Sequence, residues 1–247
     1  MLHYPLYTER DEGLEKRQLN LTDYCIAQLA CLKDKRILEV GCGNGLQSIY
    51  IANTYQPEET IAVDLIHENI ELAKQHDQNG SRIIFLVDDA HKLENIPDQS
   101  IDTAICIESA FHYPDKDLFL SQMKRVLKPG GEFVIADILA RKKKKRVILG
   151  RWKMKMNYHH WTIEEYERSF RGTDLTVEKS NNITRRVIHG YNGYMNWVNS
   201  KHCDTYMRYI MLQTFMFIQV NLNLILLKYR RYYYVFKGRR QELFLMN

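Results

Sequence analysis

Apolar positions in the first 140 residues fall into two kinds of run. Short stretches near 36–40, 60–64, 82–87, 102–107 and 131–137 are rich in Ile, Val and Leu and bounded by charged or glycine-containing turns, as expected of strands buried on both faces. Between them the apolar residues recur every three or four positions, which predicts helices near 46–55, 67–77 and 116–127. The last of these shows the local logic. Pro114-Asp115 starts it, Phe119, Met123, Val126 and Leu127 form one buried stripe, and Pro129-Gly130-Gly131 ends it. Alternation of this kind implies an α/β fold with a mostly parallel sheet, right-handed crossovers and helices on both faces, so ligands bind at the carboxyl ends of the strands.

The flanks are read more coarsely. Residues 1–35 form an N-terminal cover whose helix is expected over Asp23 to Leu32, where Ile26, Leu29 and Ala30 have helical spacing. Residues 36–140 form the core, and 141–247 complete it. Thr162 with Glu165 three positions on has the pattern of a capping box. Leu175 to Glu178 and Tyr232 to Phe236 read as two final strands, with a mostly helical lid inserted at about 183–228.

The stretch Arg36-Ile37-Leu38-Glu39-Val40-Gly41-Cys42-Gly43-Asn44-Gly45 organises the chain. A buried strand runs into three glycines at alternate positions, where the backbone turns sharply and approaches a ligand with no Cβ in the way. A helix starts at Leu46, so the turn ends at free N–H groups that favour negative charge. The dinucleotide pattern Gly-x-Gly-x-x-Gly fails, because its sixth position is Leu46. Two acids stand close to the turn instead: Glu39, placed for a ligand ammonium, and Asp64, placed at the end of Ile61-Ala62-Val63 for two ribose hydroxyls. Such a site suits an amino-acid nucleoside.

With these motifs the chain resembles the class I S-adenosylmethionine-dependent methyltransferases, in their small-molecule branch. The likeness runs from about Ile37 to Asp137: Val87-Asp88-Asp89-Ala90 is similar to the end of the family's third strand, Ile107-Glu108-Ser109-Ala110-Phe111-His112-Tyr113-Pro114-Asp115 to the fourth-strand motif, and Val126-Leu127-Lys128-Pro129-Gly130-Gly131 with Phe133 to Asp137 to the turn into strand five. The resemblance implies a Rossmann-like seven-stranded sheet and S-adenosylmethionine as cofactor. It implies contacts from Glu39, Gly41, Cys42, Gly43, Asn44, Gly45, Asp64, Leu65, Asp89, Ala90 and Glu108, with Asp89 or its neighbour Asp88 at the adenine amino group. It also places His112 beside the methyl group as the candidate base, and Asp137 either orients His112 or serves as base itself. Cys42 reads equally well as a small buried side chain.

Composition narrows the remaining choices. The chain has 247 residues, 45% of them hydrophobic and 26% charged, enough for one sizeable core. Five cysteines without a C-x-x-C pair, and no signal-peptide pattern, favour a reduced cytoplasmic setting. No two-His-plus-acid spacing points to a metal. The strand-four motif is not Asn/Asp-Pro-Pro-aromatic, so methylation of nucleic-acid bases is not expected. The net charge is +5, and the one block of like charge, Arg141 to Arg146, is either a solvated run or a contact for an anionic substrate or membrane surface. Lid aromatics Tyr191, Tyr194, Trp197, Tyr206, Tyr209, Phe215 and Phe217 either pack the lid or line a pocket for an apolar or aromatic acceptor. The expected activity is methyl transfer to an O or C atom of a small acceptor. A cyclase or isomerase, a non-catalytic cofactor-binding subunit, and a lipid-headgroup N-methyltransferase remain as alternatives on the same fold.

Overall fold

The computed structural model describes residues 3–8, 13–78, 80, 82–142, 158–191 and 206–242. Seven strands form one sheet: β1 Arg36–Val40, β2 Glu59–Asp64, β3 Ile83–Val87, β4 Ile101–Ile107, β5 Leu127–Ala140, β6 Leu175–Asn182 and β7 Arg231–Arg240. Their spatial order is β3-β2-β1-β4-β5-β7-β6, and only β7 runs against the others. The order in which successive strands are added reverses at β1, which lies between β2 and β4, and this opens a crevice above the β1 terminus.

Side-chain alternation along the strands separates two apolar layers. Phe133 and Ile135 of β5, with Ala104 and Cys106 of β4, face helix α4 (Lys116–Val126) and helix α5 (Ile163–Arg171) through Phe119, Met123, Tyr166 and Phe170. Val134, Ala136 and Ile138, with Ile105 and Ile107, face the other way. They meet Leu21 and Cys25 of α1 (Leu14–Ile26), Ile51 of α2 (Leu46–Tyr55) and Val187 of α6 (Thr184–Gly190). Each large aliphatic side chain sealed in this way contributes about 1.5–3 kcal/mol, which is why apolar residues predominate in β1, β4 and β5. Helix α3 (His67–His76) packs Ile70 and Ala73 on β2 and β3 with Phe85, and α7 (Tyr206–Tyr229) precedes β7.

Two local expectations hold in detail. Thr162 and Glu165 form the reciprocal capping box of α5, and Asp115 caps α4 by accepting from Leu118 N–H. The N-terminal helix differs from its expected place: it spans Leu14–Ile26, not Asp23 to Leu32. Leu14, Arg17, Leu21 and Cys25 are its buried stripe. Beyond it the chain is held by a distant partner, because Ala30 N–H donates to Glu132 Oε2 at 2.8 Å. Strand five is also longer than expected, beginning at Leu127 and passing a register shift opposite Ile101/Thr103. Among the described residues, the expected lid region contributes α6 and α7, while Tyr194, Trp197 and Lys143 to Arg146 lie outside them.

Candidate cofactor and acceptor site

The glycine turn is held by the neighbouring strand β2. Gly41 and Cys42 N–H both donate to Val63 O, at 2.8 and 3.0 Å. All three turn glycines have positive φ, at +81°, +53° and +75°. Space distinguishes them. A Cβ on Gly41 would lie 1.8 Å from Ser109 Oγ, and one on Gly45 would lie 2.5 Å from Ala73 Cβ, whereas a Cβ on Gly43 would meet nothing within 4 Å. Gly41 and Gly45 are therefore required by packing, and only Gly43 borders open space.

Two carboxylates stand at the strand ends near this turn. Glu39 is buried and accepts from Ser48 Oγ at 2.6 Å through Oε2, while its Oε1 accepts no hydrogen bond among the described residues. Burial raises its pKa to about 7, opposed by the Ser48 hydrogen bond and the nearby His3 and reinforced by Asp64. Asp64 Oδ2 accepts from Gly43 N–H at 2.9 Å, and Oδ1 from Ile66 N–H and Asn69 Nδ2 at 2.9 and 3.0 Å. Oδ2 thus keeps acceptor capacity toward the turn. Leu65 and Ile66, the next residues, expose apolar side chains at this edge.

The paired acids after β3 take different roles. Asp88 is buried and holds its own loop, accepting from the N–H groups of Asp89, Glu94 and Asn95 at 2.8, 3.2 and 2.9 Å and from Asn95 Nδ2 at 3.2 Å. Asp89 uses only Oδ1, toward His91 N–H and Nδ1 at 2.9 and 2.7 Å. Ala90 and Cys42 are buried in the apolar layers. Asn44 accepts through its carbonyl from His76 Nδ1 at 3.0 Å.

Gln47, at the start of α2, was not singled out from sequence. It is buried, yet both amide atoms lack a hydrogen-bond partner among the described residues. Buried polar groups normally have partners, so this amide, like the open Gly43 and the unbonded Glu39 oxygen, fits a ligand rich in donors and acceptors. The residues present therefore fit an amino-acid nucleoside.

Glu108 serves the N-terminal segment. It has φ +56°, and its carboxylate accepts from Tyr4 N–H at 3.0 Å and from Tyr233 Oη at 2.8 Å, and pairs with His3 Nδ1 at 3.0 Å. Leu6, fully buried, is fixed by donating its N–H to Arg17 O at 2.8 Å, and Tyr7 N–H donates to Arg186 O at 3.1 Å. These contacts bring His3 close enough to Glu39 to influence its charge.

His112 ends a one-turn 3-10 helix, Ala110–His112, just after β4, and is exposed. Its ring lies 4.4 Å from that of Phe111 and 5.3 Å from that of Tyr158. Asp137 lies beneath this turn with no exposed surface, accepting from Tyr166 Oη at 2.6 Å and Ile138 N–H at 2.8 Å. Burial raises its pKa, offset by the buried Lys116, by Tyr166 and by the backbone of Ile138 and Phe111. Its contacts suit holding the turn more than taking a proton from a ligand.

His160 joins the same aromatic group, 5.6 Å from Tyr158 and 5.9 Å from Phe111. It donates Nδ1–H to Ile138 O at 2.6 Å, so the neutral ring carries its lone pair on Nε2, which is buried without a partner among the described residues. Burial first, then Arg231, lowers its pKa to about 4. Sequence offered no signal for it, because the tautomer depends on a carbonyl 22 residues away. Among the described residues no cluster of His, Cys, Asp or Glu is arranged to hold a metal.

Comparison with known proteins agrees with this geometry. A family profile for a methyltransferase domain matches residues 32–188. A fatty-acid O-methyltransferase of Mycolicibacterium smegmatis is 31% identical over 74% of this chain and 58% of that protein. The 27-O-demethylrifamycin SV methyltransferase of Amycolatopsis mediterranei is 30% identical over 56% of this chain and 51% of that protein. The chain spans about half the length of the curated relatives it matches. The solved cyclopropane synthase MmaA2 from Mycobacterium tuberculosis superimposes with a TM-score of 0.76 at 15% identity, covering 96% of this chain and 89% of that one. The glycine turn at the β1 terminus, the order of the seven strands and the matched profile together show that this chain belongs to the methyltransferase-domain family and has the Rossmann-like class I S-adenosylmethionine-dependent methyltransferase fold.

Proposed function

We propose that this protein is an S-adenosylmethionine-dependent methyltransferase acting on an O or C atom of a small acceptor with a large apolar part. The observation that carries the reading is the one open glycine of the turn, Gly43, whose N–H donates to Asp64, with the buried Glu39 in the strand that leads into the turn. The bound cofactor supplies an activated methyl group whose leaving group is a neutral thioether. In this reading Glu39 receives the ammonium, Asp64 the ribose hydroxyls, and Asp89 the adenine amino group, with Leu65 and Ile66 as an apolar face for the ring. Alignment of acceptor and methyl is worth about 7–11 kcal/mol in favourable cases, so orientation is the main task of the protein.

His112 takes the acceptor proton, with Asp137 holding the turn that carries it and His160 Nε2 available to accept a hydrogen bond from the acceptor. The aromatic group of Phe111, His112, Tyr158 and His160 supports an apolar or aromatic acceptor, as do the fatty-acid and rifamycin substrates named for the two relatives. The experiment pairs calorimetry of S-adenosylhomocysteine with methyl transfer from labelled donor to a panel of fatty acids and aromatic hydroxyls. His112→Ala should bind the cofactor normally and lose about 10²–10⁴-fold in turnover. Full turnover in that variant removes His112 from the role, and no affinity of the wild type for either form of the cofactor overturns the reading.

A further inference from the structure

Helix α7 is apolar on two opposite faces. At 100° per residue, Ile218, Leu222, Ile225 and Tyr229 fall within an arc of about 60°, and all four are more than half exposed. Val220 and Leu227 lie on the opposite side and are buried, Leu227 against the layer containing Val187 and Tyr233. One face thus docks on the protein, and an equally apolar face meets solvent. Scattered exposed apolar residues need no explanation, but an aligned stripe of this size marks a contact surface.

Charge identifies its occupant. Residues 138–163 and 206–231 hold thirteen of the 35 Lys and Arg and none of the 30 Asp and Glu, which leaves the rest of the chain at a net −8. At the carboxyl end of β5 the fold brings Arg141 against the end of α7. Arg141 N–H donates to Arg230 O at 3.1 Å, and its guanidinium donates to Leu227 O and Arg231 O at 3.0 and 3.1 Å. Lys142, Lys228 and Arg230 are exposed beside the stripe. Two copies meeting through this face would oppose like charges, whereas an apolar stripe fringed with cations matches an anionic bilayer surface. No helix among the described residues is long and apolar enough to cross a membrane.

We propose that the exposed face of α7, with Arg141, Lys142, Lys228 and Arg230, seats this protein on an anionic lipid bilayer, lying in the interface. The surface adjoins the acceptor side of the cleft, since Arg231 stands over the Tyr158 ring at 5.7 Å and Tyr158 faces His112. A membrane-borne acceptor would then reach His112 directly. That last step rests on the proposed methyl transfer, and the docking does not.

The test is cosedimentation of the full chain with vesicles of phosphatidylcholine alone or mixed equally with phosphatidylglycerol. Binding is expected only to the mixed vesicles, weakened by added salt. Ile218→Gln, Leu222→Gln and Ile225→Gln together should lower partitioning at least about tenfold, with thermal midpoint and S-adenosylhomocysteine affinity unchanged because these side chains are exposed. Lys228→Glu with Arg230→Glu should remove the lipid selectivity. Absence of wild-type binding, equal binding by the triple variant, or a dimer that the triple variant dissociates without any vesicle binding overturns the proposal. Loss of cofactor affinity in the wild type would overturn the proposed function and leave the docking result standing.

Discussion

Gly43→Ala separates the binding role of the glycine turn from its packing role. In the left-handed region an alanine costs about 1–2 kcal/mol, part of which is returned by the stiffer unfolded chain. Nothing lies within 4 Å of the added methyl, so the net loss should be about 1 kcal/mol, a fall in thermal midpoint of about 2–4 °C for a chain of this size. Gly41→Ala carries the same strain and in addition drives a methyl into Ser109, at 1.8 Å from Oγ and 2.4 Å from Cβ. Overpacking adds about 1–3 kcal/mol, so this variant should lose roughly two to four times as much stability. The order reverses for binding. The Gly43 methyl projects into the space assigned to the cofactor, and a loss of only 1.4 kcal/mol there raises Kd tenfold. Thermal unfolding followed by circular dichroism, together with calorimetric titration of S-adenosylhomocysteine, measures both quantities. A Gly43→Ala protein that binds within twofold of wild type would show that the open side of the turn does not face the cofactor. One as unstable as Gly41→Ala would refute the packing argument.

Two further outcomes follow from single carboxylates. Glu39 titrates near pH 7 because it is buried, and an ammonium bound beside it favours the charged form. Cofactor binding should therefore release a proton below that pH, and affinity should rise by up to about tenfold per pH unit from about 5 toward 7, then level off. Titrations in buffers of different ionisation enthalpy report that proton, and pH-independent affinity across this range would remove Glu39 from the ammonium role. Glu108→Gln replaces an acceptor-only group by one carrying donors, facing Tyr4 N–H and His3. The loss should be about 1.5–3 kcal/mol, felt as faster hydrogen exchange at Tyr4 and Leu6 with the β4 and β5 amides unchanged; equal protection of Tyr4 in both proteins would refute the pinning of the segment by Glu108.

The core strands, the glycine turn and the α5 capping box were legible along the chain because each depends on near neighbours: apolar runs, φ-permissive glycines, and Thr162 meeting Glu165 three residues on. What depended on distant partners was not. The first helix ends where it does with Ala30 tied to Glu132, Glu108 is turned toward a segment 104 residues away, and His160 owes its tautomer to Ile138 O. The burial of Asp137 under Tyr166, the unpartnered amide of Gln47 and the two apolar faces of α7 likewise appear only once sheet and helices are assembled. Periodicity records which residues prefer to leave water. Only packing decides which polar groups find partners, and which apolar face is left without one.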